Sequence, residues 1–144
     1  MIRYLPCFMA AACCVLTSSA ATSPPVIPEH PIVGVWEFTA RGAPCTETYL
    51  FKANGTALVT SGEEVAETRY EISPRAGAGG FFKMMDVVTR DNGKKDCGGS
   101  ITEVGRKATY FIHFHHSGDL LLMCEQESLD TCIGPMVRVP AQDL

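Results

Sequence analysis

The 144-residue chain predicts an all-β protein, an antiparallel up-and-down meander of about eight strands that closes into one small barrel over residues 32–144. Three observations lead there. Short runs of β-branched and aromatic residues recur along the chain, and several alternate apolar with polar side chains at the two-residue period of a strand. Tight-turn pairs such as Asn54-Gly55, Asn92-Gly93 and Ser117-Gly118 punctuate those runs. Past the amino-terminal segment no stretch shows a helical period. Closure into a barrel removes the exposed edges that an open meander would leave.

The elements follow in order. Residues 1–21 have the three-part layout of a secretory signal: Arg3, an apolar stretch over 4–16, and small residues suited to cleavage after Ala20 or Ala21. A second route competes, because Ala10-Ala11-Ala12-Cys13 resembles a bacterial lipoprotein signal ending before Cys13, which would then carry the lipid. Either route places the remainder outside the cytoplasm, periplasmic or secreted in one case and membrane-anchored in the other. Residues 22–31, rich in proline, read as a flexible leader.

The first strand is IVGVWEFT at 32–39. TETYLFK at 46–52 meets 57–61 through Asn54-Gly55 as a hairpin. At 65–73, Ala66, Thr68, Tyr70 and Ile72 face one way while Glu67, Arg69 and Glu71 face the other. The turn cluster PRAGAGG at 74–80 leads to a strand at 81–90. Asn92-Gly93 then reads as a tight turn that sets Asp91 opposite Lys94, followed by a weaker strand at 100–104. KATYFIHFHH at 107–116 folds back through Ser117-Gly118 onto 119–125, and IGPMVRV at 133–139 ends the series. In that last hairpin Tyr110, Ile112, Phe114, Leu121 and Met123 form the more apolar, inward face.

Seven cysteines divide into three in the amino-terminal segment and four beyond it. Four in a small exported domain read as two disulfides, and the spacing pairs Cys124 with Cys132 and Cys45 with Cys97. No Cys-x-x-Cys or Cys-x-x-His pair suggests a metal site in that region. The 16 acidic and 12 basic side chains leave a net charge of −4, and only Arg3 of these lies in the signal. That balance argues against nucleic-acid binding. After residue 20 no apolar run approaches the length of a membrane span.

Gly34-Val35-Trp36 in the first strand, followed by the antiparallel run, resembles the opening of lipocalin-type (calycin) barrels. The resemblance implies a tryptophan plugging one end of the barrel with an arginine from near the last strand across it, roles that fall to Trp36 and Arg138. The chain is shorter than full-length lipocalins and lacks the helix that usually follows their strands.

His113 and His115 share a strand face, as two ligands of a zinc site do, but their cross-strand neighbours are Leu122 and Leu120. They read instead as part of an outer contact patch with Phe111, Leu120 and Leu122. Glu63, Glu64 and Glu67 read as a solvated hairpin tip without the spacing of a calcium loop. Asp86 alternates with Met84 and Val88, which makes it a polar group that could line a cavity. No nucleophile elbow or phosphate loop is present, and no cofactor is implied. The expectation is a non-catalytic binding protein of the bacterial envelope that holds a small apolar ligand or docks on an envelope protein. The alternative is an immunity protein or an inhibitor of a secreted toxin or cell-wall hydrolase. A cavity of roughly several hundred Å³ lined by the Tyr70, Ile72 and Met84 faces would favour the former, and a filled interior beside a protruding loop the latter.

Overall fold

The computed structural model describes residues 30–40, 42 and 45–140. Its strands are β1 (Gly34–Phe38), β2 (Glu47–Phe51), β3 (Thr56–Ser61), β4 (Glu64–Ile72), β5 (Phe81–Asp91), β6 (Lys107–Phe114), β7 (Leu120–Cys124) and β8 (Cys132–Val139). A single 3₁₀ turn, Leu129–Thr131, lies between the last two. Each strand pairs antiparallel with the next, and β8 returns to β1 to close the barrel. The all-β meander of eight strands is therefore present. Eight strands enclose a space just wide enough for side chains to fill or for one small ligand.

Alternation sets the two faces. Along β4, Ala66, Thr68 and Tyr70 are buried and Glu67, Arg69 and Glu71 exposed. On β6 and β7, Ile112, Leu121 and Met123 are buried, and Tyr110 and Phe114 pack against the core from partial cover. The β2–β3 hairpin turns over Lys52 to Thr56, with Asn54 Oδ1 accepting from the Thr56 N–H and hydroxyl. Between β6 and β7 the register sets Phe111 opposite Cys124 and His113 opposite Leu122.

One stretch departs from the sequence reading. Asn92-Gly93 does not make a two-residue hairpin, and no strand forms at 100–104; the chain from 92 to 106 is a loop, and β5 pairs directly with β6. Lys94 reaches Glu63, with Nζ–Oε1 at 3.9 Å, rather than Asp91. The reason is local competition. Asp91 Oδ1 accepts from Gly93 N–H, Asp96 Oδ1 accepts from Ser100 N–H, and Asp96 N–H donates to Ser100 carbonyl, so the segment satisfies itself in turns.

Two disulfides are present, Cys45–Cys97 and Cys124–Cys132. The second staples the β7–β8 hairpin, and the first ties the 92–106 loop to the segment before β2. Such bonds fit an oxidising compartment outside the cytoplasm. No helix among the described residues is long and apolar enough to cross a membrane. The expected signal, the lipidation at Cys13 and most of the leader fall outside the described residues.

Candidate functional site

The barrel has two unlike ends. At one, which holds the start of β1 and the end of β8, Trp36 is wholly buried and donates its indole N–H to the Ile32 carbonyl at 2.8 Å. The guanidinium of Arg138 lies over that ring, its carbon 4.2 Å from the centroid, and also donates to the carbonyls of Val33, Gly118 and Pro31. A guanidinium on an indole contributes about 0.5–2 kcal/mol. The close approach requires glycine at 34, where φ is +134° and a Cβ would sit 2.7 Å from Arg138 Nη1. Around Trp36, the rings of Phe114, Phe82 and His30 meet edge-on or tilted at centroid distances of 4.9–6.3 Å. This end is packed shut.

His30 belongs to that plug. Its Nδ1 accepts from Ile32 N–H at 3.1 Å and its Nε2 lies 3.2 Å from the Ser73 carbonyl. The pattern suits a neutral ring carrying its proton on Nε2. Burial lowers its pKa, and the bond to Ser73 only partly opposes this.

At the other end the interior is open, with a cavity of about 180 Å³. Part of its wall is apolar, from Phe51, Met84, Val88 and Met123, while Ser61, Thr68, Thr102, Tyr49 and Tyr110 bring hydroxyls. Four carboxylates line it, Glu47, Glu64, Asp86 and Asp96, against the single guanidinium of Arg106. The inward phase of each strand puts them there: Glu47 precedes Tyr49 and Phe51 on β2, and Asp86 lies between Met84 and Val88 on β5.

Most polar groups of this end are paired. Ser61 hydroxyl donates to Glu47 Oε1 at 2.9 Å and Tyr49 hydroxyl to Glu47 Oε2 at 2.5 Å. Cys97 N–H donates to Ser61 Oγ at 3.0 Å and Glu63 N–H to the Lys95 carbonyl at 3.2 Å, which holds the 92–106 loop against the mouth. Gly62 admits that loop: its φ is +62°, and a Cβ there would meet Asp96, Cys97 and Lys95 backbone atoms at 3.2–3.3 Å.

Two buried carboxylate oxygens have no hydrogen-bond partner among the described residues, Asp91 Oδ2 and Glu64 Oε1, and of the two residues only Glu64 lines the cavity. Glu64 is only 5% exposed. Burial pushes its carboxyl above the usual range; Thr102 beside it opposes the shift, and the negative charges of Asp91, Asp96 and Glu47 add to it. Burial likewise raises Asp86, with Arg106 and a backbone bond to Ala108 opposing. Tyr49 and Tyr110 are pushed up by burial too, as is Tyr70, to about 12.

The reading of Glu64 as part of a solvated tip is thus corrected: Glu63 and Glu67 are exposed, Glu64 is not. The missed signal was the strand phase, since Glu64 continues the inward series of Ala66, Thr68 and Tyr70 by one more step. Both faces expected to line a cavity do so, β4 through Glu64, Ala66 and Thr68 and β5 through Met84, Asp86 and Val88, but Tyr70 itself packs edge-on against Phe51 and Ile72 packs against the core.

The outer patch is drawn together across β6 and β7. His113 packs on Phe81 at 5.0 Å between centroids, and the turn carrying Gly80 comes within reach of its Nε2. Leu122 lies over Gly134 of β8. Phe111, His113, Leu120 and Leu122 are half-buried and His115 is exposed, its Nδ1 3.0 Å from Ser117 Oγ. Neighbouring turns therefore cover part of this surface. Among the described residues, no group of three or more His, Cys, Asp or Glu is placed to hold a metal ion.

Fold and site together define a small closed β-barrel with one plugged end and one open, acidic end. No family model, curated protein or solved structure matches the chain.

Proposed function

We propose that this is a non-catalytic binding protein of the bacterial envelope, lipocalin-like in design, which holds one small ligand at the open end of its barrel. The cavity carries the reading; at about 180 Å³ it is smaller than the several hundred Å³ expected from the sequence, which restricts the ligand to a small one. A cavity of about 150 Å³ holds benzene, so the space suits a single ring with a short substituent. The apolar part of the wall, Phe51, Met84, Val88 and Met123, supplies the binding energy by burying the ligand's apolar body, at roughly 25 cal/mol per Å². The disulfides and the signal-like start support an exported location, periplasmic or secreted, with lipidation at Cys13 as the anchored variant.

Ligand-induced thermal stabilisation with single-ring compounds tests this. A saturable rise in melting temperature is expected, and it should vanish in Ala66→Leu, which fills the cavity from β4. Retention of the rise in a folded A66L protein would refute the site.

A second reading, an immunity protein or hydrolase inhibitor, is favoured by the 92–106 loop. Ile101 and Val104 there are 57% and 62% exposed, beside a loop fixed by Cys97. Exposed apolar residues on a stapled loop make a preorganised docking tip. The double substitution I101E/V104E would abolish binding to such a partner while small-ligand stabilisation persists.

A further inference from the structure

We propose that the ligand of the open end is a small organic cation, a primary ammonium on a single ring or short chain, and that Glu64 is the carboxylate that receives it. This rests on the reading of the cavity as a ligand site and adds the chemistry of the ligand.

Glu64 Oε1 carries the inference. Buried acceptors are almost always paired, yet this oxygen belongs to a side chain lining the cavity and has no donor among the described residues. The Ser61 and Tyr49 hydroxyls both donate to Glu47, and the Thr102 hydroxyl beside the Glu64 carboxyl still leaves Oε1 without a donor. The absent donor therefore arrives with the ligand.

Its charge follows from the wall. Four carboxylates against one guanidinium make a negative field that repels anions and draws cations. Its form follows from the spread of those carboxylates, which are distributed around the wall on β2, β4, β5 and the loop. Tyr49, Tyr110, Met84 and Val88 share the wall with them. A cation with an apolar body uses both features: the ammonium donates to Glu64, the body is buried against aliphatic groups, and the tyrosine rings favour a neighbouring positive charge. Without ligand, burial and the neighbouring acids hold Glu64 towards its neutral form; an ammonium beside it reverses that balance.

Four probes of one size separate the possibilities: benzylamine, benzyl alcohol, benzoate and toluene, titrated calorimetrically at pH 7 into the disulfide-intact protein. Benzylamine should bind at least tenfold tighter than benzyl alcohol, and benzoate should not bind. Glu64→Gln should bring benzylamine down to the level of benzyl alcohol. Should E64Q fail to fold, the carboxyl ¹³C titration of Glu64 in the unaltered protein decides: benzylamine should lower its midpoint and benzyl alcohol should not. Equal affinity for the amine and the alcohol, or a Glu64 signal indifferent to saturating benzylamine, overturns the cation inference and leaves the cavity reading standing. Failure of all four probes to bind removes the ligand site itself, and the cation inference with it.

Discussion

The two ends of this barrel solve the same closure problem in different ways. The Trp36 end is held by packing: an indole with no exposed surface, a guanidinium over it, and a ring of Phe82, Phe114 and His30. The Glu64 end has a cavity and four carboxylates where a core would be, and both disulfides lie there. Where apolar burial is given up for a site, covalent cross-links restrict the chain instead. The lesson is that stability and function are segregated along the barrel axis, so substitutions at the two ends should have different consequences.

The largest effect is expected at the plug. Trp36→Ala removes the biggest buried side chain together with its bond to Ile32 and its contact with Arg138, and should destabilise the fold by about 4–5 kcal/mol in urea denaturation. A loss below about 1 kcal/mol would mean that this end is not the packed one.

Next comes the cross-link of the open end. Cys45–Cys97 spans 52 residues, for which loop-closure entropy gives a stabilisation of about 4 kcal/mol, against about 2.5 for the 8-residue span of Cys124–Cys132. The double variant C45S/C97S should lose most of that. It should also raise amide exchange in the 92–106 loop before it does so around Trp36. Uniform loosening of both ends would contradict the division.

How much of this division could be read from the chain differs by region. Turn pairs and alternation revealed all eight strand positions, with one strand too many at 100–104, and they assigned the inward faces of β4, β6 and β7, because strand phase is a local property. The disulfide pairing was legible from spacing and compartment. The 92–106 loop was not: Asn92-Gly93 carries a hairpin signal, but Asp96 and Ser100 close a turn on themselves, and Cys97 is bound to a residue 52 positions away. Glu64 was misjudged for a related reason. A carboxylate at a hairpin tip looks solvated until β2, β5 and the distant loop close around it, and no local pattern reports that closure. Asp86 was recognised as a cavity candidate because apolar neighbours on the same face flank it on its own strand.

A smaller effect sharpens the contrast from the functional side. Glu64 is buried, lacks a partner for Oε1 and has a raised pKa, so its ionised form opposes folding. Glu64→Gln should therefore stabilise the protein at pH 8, by about 1 kcal/mol, whereas its ligand affinity falls. Destabilisation at pH 8 would show that the carboxylate is serving the fold.

The smallest effect concerns acid. His30 has a lowered folded-state pKa, so its contribution is complete above the unfolded value near 6.5 and is lost as pH falls through the folded one. Glu64 and Asp86 have raised values, so the folded state binds more protons. Their destabilising influence fades as pH falls through those values. Acidification from pH 7 to 5 should thus loosen the plug and relieve the open end. His30→Gln should make the change in melting temperature over that interval more positive, by the equivalent of less than about 1 kcal/mol; an unchanged or more negative shift would exclude His30 as the acid-sensitive group.

The segregation itself is tested most directly by an amide and indole NMR map during titration with benzylamine. Saturable shifts at Thr68, Asp86 and Tyr110, with the Trp36 indole N–H unmoved and protected from exchange, are the expected result. Shifts centred on Trp36 and His30, with the Glu64 end silent, would contradict the account.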